Sequence, residues 1–459
     1  MTEFEGHDTG RVLQPLLGCS SNASNTNGLS TAPAIPDTTS MAARRSRRRS
    51  TCAEESFAQW MSDNQIGFSF NLLALLCLAH LIPRARPYTT KFLTLSYHDP
   101  TSGKYRNGID DVYLIASFIV LFTWLRAGVM KYILAPFAKL CGVHKENNMI
   151  RFSEQSWLLC YYAVFWTMGM YIYITSDYWL NMKELWTNWP QRELDGLAKF
   201  YILGQWAFWL QQIIVINMEK RRKDYWQTLS HHLVTCCLIY ACYAYHQTRV
   251  GNVILVTMDF IDIVLPLAKC LKYLGFKTLC DVMFGVFLVS WIATRHVFYS
   301  IVCWSIFADI PEIIGETCWK GSSSTLQGPL PTPEGYRYLL EPFLDSKGIV
   351  CFGQVPKWSF LTPLLLLQCM NCIWLVMIAR VALKVLRKEG AEDSRSDDEG
   401  GKDDEFAVED DCSSTEELLP EKIGSTSFEP PFDGKDEVLA LINGRHSPKK
   451  GSNGRVKNT

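Results

Sequence analysis

The chain has 459 residues, 48% of them hydrophobic and 13% aromatic, with a formal net charge of −1. Its mean hydropathy near zero averages apolar blocks against very polar ends, which excludes one uniform soluble domain as an account of the whole chain. No nucleic-acid partner is expected.

Residues 1–60 and 388–459 collect Ser, Asn, Gly, Asp, Glu and Arg. Such segments cannot bury enough apolar surface to offset chain entropy, so both are expected to be disordered. The first apolar block follows more than sixty polar residues, so no secretory signal peptide is expected. Apolar blocks of bilayer-spanning length then recur, at 66–82, 111–133, 156–174, 197–216, 229–245, 252–271, 282–307 and 358–386. The predicted fold class is all-α: a polytopic membrane protein of about eight transmembrane helices in a bundle, with disordered tails.

Loop charge orients the spans. Basic clusters at Arg44 to Arg49, Lys220 to Lys223, around Lys269, Lys272 and Lys277, and at Arg380, Lys384, Arg387 and Lys388 fall on one side when the N-terminus is cytosolic, as the positive-inside rule requires. The connection holding Arg84, Arg86, Lys91, Lys104 and Arg106 breaks that pattern. The C-terminal tail carries Ser394–Glu399 and Ser413–Glu417, serines upstream of acidic residues. They read either as phosphorylation sites or as part of a solubilising acidic tail.

Sixteen cysteines are scattered along the chain, and many lie inside apolar blocks. These read as small hydrophobes in helix packing, not as metal ligands. Cys318 and Cys351 differ in lying in a long polar loop, and would pair if that loop faces an oxidising compartment.

Ionisable residues at membrane depth are costly, and a functional site is the default reading. His231 and His232 lie in one apolar block, and Asp259 and Asp262 in the next. On a helix, Asp224, Gln227, His231 and Thr235 form a stripe, with His232 about 100° round from His231. Asp259 and Asp262 share a face, and Pro266 frees the Asp262 carbonyl of its usual backbone donor. Antiparallel packing of the two helices would bring imidazole and carboxylate together, an arrangement suited to acyl transfer. The bland reading is interhelical hydrogen-bonding glue. A metal site has enough N and O ligands, but adjacent histidines do not readily point at one ion from one regular helix, so no metal is expected. His80, Arg126 and His246 have no comparable cluster and read as structural or interfacial. Arg295-His296 within a span requires a counter-charge, from Asp259, Asp262 or a ligand phosphate.

His231 to Thr235, Arg249 to Gly251, Met258–Asp262 and Lys269 through Tyr273 together resemble the signature of ceramide synthases, which are TLC-domain membrane proteins. Phe152 through Trp157, Trp166 and Arg295-His296 resemble further parts of that domain. The resemblance implies a multi-pass enzyme of the endoplasmic reticulum, both termini cytosolic, that moves a long or very-long acyl group from acyl-CoA to the amine of dihydrosphingosine or phytosphingosine. It implies His231, His232, Asp259 and Asp262 as catalytic residues, and substrate-binding places for Arg295, Lys223, Arg222, Trp157 and Glu154. No cofactor is implied beyond acyl-CoA as co-substrate. Membrane lipids, a small single-span accessory subunit and a dimer are the further partners it suggests. Met258 stands where many animal members have histidine, as in fungal members. The domains read as a tail at 1–60, two helices at 61–149, a TLC-domain catalytic core at 150–307, a lumenal loop at 308–357, a last helix at 358–387 and an acidic tail at 388–459. The competing reading is a non-enzymatic TLC-domain protein that binds or moves lipids or assists membrane insertion. A channel or transporter is disfavoured by the lack of an evident inverted repeat.

The orientation has a direct check. With a cytosolic N-terminus the sequon Asn22-Ala23-Ser24 stays unused, so endoglycosidase treatment should leave the electrophoretic mobility unchanged; a shift abolished by Asn22→Gln would reverse the topology.

Overall fold

The computed structural model describes residues 38–219 and 224–386. The two tails beyond them and Lys220 to Lys223 lie outside the described residues, and with them the basic approach, the sequon and the acidic serine motifs. Each of the eight apolar blocks forms a helix: α1 (Thr38–Leu81), α3 (Asp111–Leu140), α4 (Glu146–Ile174), α5 (Gly196–Met218), α6 (Tyr225–Ala244), α7 (Thr248–Tyr273), α8 (Lys277–Ile313) and α9 (Gln354–Leu386), with a short α2 at Arg86–Leu93. Within α1, α3, α4, α8 and α9 lie stretches long and apolar enough to cross a membrane by length and composition. By that measure alone, five of the eight expected helices qualify among the described residues. The three that fall short, α5, α6 and α7, are those interrupted by Lys199, Gln205, His231, His232, Asp259 and Asp262.

Several boundaries move outward. The tail expected to be disordered to residue 60 is helical from Thr38, where Ala, Arg, Met and Glu are good helix formers. Pro136 does not end α3, because a π turn at Met130–Leu134 precedes it and shifts the hydrogen-bond register. The loop expected at 308–357 is not plain either. α8 continues to Ile313, and a small antiparallel sheet of order β2–β1–β3 follows, with β1 at Thr317–Lys320, β2 at Gln327–Leu330 and β3 at Val350–Phe352. Cys318 and Cys351 face each other across β1 and β3 and are disulfide-bonded.

The helices pack through aromatic and small residues. Tyr161 stacks on Phe208 at 3.4 Å between ring centroids, tying α4 to α5, and on Phe165 of its own helix at 4.5 Å. A Cβ on Gly169 would sit 2.6 Å from the Tyr201 hydroxyl, so only glycine permits this approach. Trp166 Nε1 donates to the Val256 carbonyl at 3.1 Å and Asn252 Nδ2 to the Gly169 carbonyl at 3.1 Å, fastening α4 to α7.

One end of the bundle is capped. Arg192, 5% exposed, donates to the carbonyls of Ser346 at 2.5 Å, Gly348 at 3.0 Å and Trp319 at 3.3 Å, and to His246 Nε2 at 3.1 Å. It thereby joins the sheet to the α6–α7 connection. Trp189 Nε1 donates to the Tyr245 carbonyl at 3.0 Å and Trp186 Nε1 to Ser305 Oγ at 2.8 Å. Beside the cap, Lys199 Nζ lies 2.7 Å from Asp111 Oδ1, the two side chains 0% and 2% exposed, and the Tyr243 hydroxyl donates to Asp111 Oδ2 at 2.7 Å. The basic residues that break the loop-charge pattern include Lys91 and Lys104, which pair with Asp110 at 3.0 Å and Asp195 at 3.8 Å.

Two measurements follow. Removing one partner of a buried pair costs about 3–5 kcal/mol, whereas an exposed pair is worth about 0–1 kcal/mol. Lys199→Leu should therefore lower the unfolding midpoint in detergent sharply, and Lys104→Leu scarcely; equal midpoints would remove Lys199 from the framework. At the cap, burial and then the Arg192 guanidinium push His246 from 6.5 down to about 3. The unfolded chain binds the proton first, so stability is fully present above about pH 6.5 and falls as pH drops from there towards 3. His246→Gln should flatten that part of the stability profile, and an unchanged slope would assign it to other groups.

Candidate active site

α6 enters the bundle at the end opposite the cap, and its second turn carries the histidines. Their aromatic neighbours come from two other helices. The Trp209 ring of α5 lies 5.7 Å from His231 and 4.9 Å from His232, both edge-on, and the Trp374 ring of α9 lies 5.3 Å from His231. The two imidazoles are 5.7 Å apart. Nδ1 of each is buried without a hydrogen-bond partner.

The aspartates do not bond the histidines, contrary to the simplest form of the sequence expectation. Asp259, with no exposed surface, accepts a short hydrogen bond from Gln205 Nε2 of α5. Asp262 lies 3.6 Å from Arg295 Nη2 of α8. The physical reason is that each carboxylate takes the nearest strong donor on the helix packed against it, and a buried carboxylate left without one is costly. Arg295 also donates to the Met258 carbonyl at 3.3 Å and lies over the Trp291 ring at 5.2 Å. It sits in a π turn, Ile292–Phe298, within α8. Such turns are frequent at functional sites because they re-aim one residue out of helical register. The counter-charge that the sequence required for Arg295 is thus Asp262.

Two cavities meet here. The first is apolar and runs from His231, Asp262 and Arg295 past Leu238, Ile254 and Leu364 to Gln247, Trp186 and Phe352 under the cap. Along α6 the lining runs from His231 to Cys242, about 16 Å at 1.5 Å per residue. The second is more polar than the first, lined by Glu154, Trp157, Arg126, Glu219, Lys269 and His232 beside several apolar residues, again with Asp262. Asp262 lines both. The predicted stripe therefore divides: His231 and Thr235 face the apolar cavity, Asp224 the polar one, and Gln227 is exposed, while His232, off the stripe, lines the polar cavity. The 100° step between adjacent helical residues is what separates the histidines.

The structure brings together His231, His232, Asp262, Arg295, Glu154 and Trp157 around these two spaces. Asp259 lies one turn from Asp262, held by Gln205, and lines neither cavity. Arg295 lines the apolar cavity, and Glu154 and Trp157 line the other. Arg222 and Lys223 lie outside the described residues. Among the described residues, no group of three or more His, Cys, Asp or Glu side chains is arranged to hold a metal ion. Arg126 proves to be paired with Glu219 at the polar cavity, and His246 with Arg192 in the cap. Sequence reasoning missed Gln205, Trp209, Asn371 and Trp374. For Gln205 and Asn371 the signal existed, since an amide inside an apolar block is costly in the same way as a charge.

This is a helical membrane bundle whose interior offers an amphipathic space. Residues 151–380 match the TLC domain family. A ceramide synthase of Gibberella moniliformis is 50% identical over 341 residues, covering 74% of this chain and 80% of that protein. A sphingosine N-acyltransferase of Schizosaccharomyces pombe is 40% identical over 326 residues, covering 71% and 77%. A ceramide synthase of Saccharomyces cerevisiae is 31% identical over 309 residues, covering 67% and 69%. The chain belongs to the TLC-domain family of ceramide synthases.

Proposed function

We propose that the protein is an acyl-CoA-dependent ceramide synthase, transferring a long acyl group from its CoA thioester to the amine of a sphingoid base such as dihydrosphingosine or phytosphingosine. The observation that carries this reading is the pair of cavities, one apolar and one polar, meeting at His231, His232 and Asp262. A fatty acyl thioester has the same division: a hydrocarbon chain that asks only for apolar walls, and a highly polar carrier.

In this reaction the carbonyl carbon lies at the junction, with the chain along the apolar cavity and CoA towards the polar one. The sphingoid amine attacks the carbonyl, the C–S bond breaks, and the CoA thiolate leaves with the electron pair. His231, facing the apolar cavity, takes the proton lost by the amine, or first takes the acyl group on a ring nitrogen and yields it to the amine. Either role uses a neutral imidazole with a nitrogen not engaged elsewhere, as Nδ1 is here. His232, facing the polar cavity, is suited to return a proton to the departing thiolate. Asp262, held by Arg295, orients the amine at the junction. Asp259 acts from beneath, fixing the α5–α7 contact through Gln205. The thioester supplies its own driving force, so no cofactor enters.

The setting we infer is the endoplasmic-reticulum membrane with both termini cytosolic, so that the basic residues Arg222 and Lys223 meet CoA phosphates on their approach. A single-span accessory subunit and a dimer are compatible with the apolar outer faces of α1 and α8, where Leu75, Leu78, Val289 and Trp304 are exposed.

General acid–base or nucleophilic catalysis contributes about 10²–10⁴-fold, so His231→Ala and Asp262→Ala should each lower N-acylation of dihydrosphingosine by about 10²-fold or more. The assay follows N-acylated product and free CoA thiol from purified protein, with the elution profile in detergent reporting the fold. Full activity in both variants would sink the assignment.

A further inference from the structure

We propose that Asn371 reads a hydroxyl group of the sphingoid base, and that Gln368 and His296 hold it in place to do so. The inference rests on the ceramide synthase reading above. Asn371 lies in α9, is 2% exposed and lines the apolar cavity. Several polar groups along that wall have protein partners. Thr235 Oγ1 donates to the His231 carbonyl at 2.9 Å, and Asp262 and Arg295 pair with each other. Gln247 lies at the capped end, far from the histidines. Asn371 is near them: it precedes Trp374, whose ring touches His231, by one helical turn.

Its orientation is set by a short chain of hydrogen bonds. Gln368 Nε2 meets His296 Nδ1 at 3.0 Å, and Asn371 Nδ2 donates to Gln368 Oε1 at 3.3 Å. An amide nitrogen only donates, so His296 Nδ1 is the acceptor and its proton sits on Nε2. Gln368 is thereby turned with its oxygen towards Asn371. Asn371 uses one N–H in this way and keeps a carbonyl oxygen and a second N–H for a ligand. A buried amide on an apolar wall has no use for a hydrocarbon chain and loses free energy beside one. The sphingoid base is the substrate with matching groups, because its two hydroxyls flank the amine that must reach His231. Whichever hydroxyl meets Asn371, the contact fixes the amine as well as the backbone of the base.

The test is a cycle crossing the residue with the hydroxyl. Full-length protein is assayed with dihydrosphingosine and with its 1-deoxy and 3-deoxy counterparts, at varied acyl-CoA. Wild-type protein should lose about tenfold in kcat/KM with one of the two deoxy bases, the scale of one hydrogen bond. Asn371→Leu should raise the KM for dihydrosphingosine about tenfold, leave the KM for acyl-CoA within about twofold, and respond no further to loss of that hydroxyl. Gln368→Leu, acting through Asn371, should give the same selective change in smaller measure, and it decides the matter alone if Asn371→Leu fails to elute as folded protein. Losses that multiply for both deoxy bases, a KM for acyl-CoA that rises in step, or unaltered selectivity overturn the role of Asn371. No N-acylated product from wild-type protein would instead overturn the ceramide synthase reading itself.

Discussion

Asp262 and Arg295 bring opposite charges into the apolar interior, and the arrangement of the site depends on their pairing. Either charge alone would be unfavourable there. Set 3.6 Å apart, with the Met258 carbonyl and the Trp291 ring as further partners of the guanidinium, they fix α8 against α7. The π turn at Ile292–Phe298 makes this geometry available, because it breaks the regular register of α8 where Arg295 occurs. With Asp262 held, the same carboxylate borders both cavities. The histidines, adjacent in sequence and about 100° apart around α6, then fall one on each side.

The division suits a substrate that is itself divided. Hydrocarbon gains from any apolar wall without needing a particular partner, so the long cavity is lined by Ile, Leu, Val and Phe. The polar cavity is lined by Glu154, Glu219, Arg126 and Lys269. At the capped end, Trp186 and Phe352 line the cavity and are held there by hydrogen bonds and sheet pairing.

The helices were legible in the sequence because apolar blocks of spanning length are a local property. So were the costly residues: His231, His232, Asp259, Asp262 and Arg295 stand out against their own neighbours. The Asp262–Arg295 pair was among the expected counter-charges, but the partner of Asp259 was not legible, since Gln205 lies more than fifty positions away and only packing brings them together. The expected imidazole–carboxylate contact failed because packing gives Asp259 to Gln205 of α5 and Asp262 to Arg295 of α8. The π turns of α3 and α8 left no mark, because the residues in them are ordinary helix formers. The cap was hidden by its shortness, three or four residues per strand giving too little alternation to read.

The last helix shows why a core bounded at residue 307 would be incomplete. α9 carries Trp374 against His231, and Leu364, Leu367 and Asn371 along the cavity. Its register against α8 is fixed midway by Tyr299, whose hydroxyl donates to the Leu364 carbonyl at 2.8 Å. Yet α9 is joined to α8 only through the segment that forms the cap. A disulfide linking residues 33 apart in sequence restricts the freedom of that segment before folding, and Arg192 then clamps it to the rest of the bundle. The cap lies at the far end of the cavity from the chemistry. It acts on the site nonetheless, by delivering α9 at the height where Trp374 meets His231.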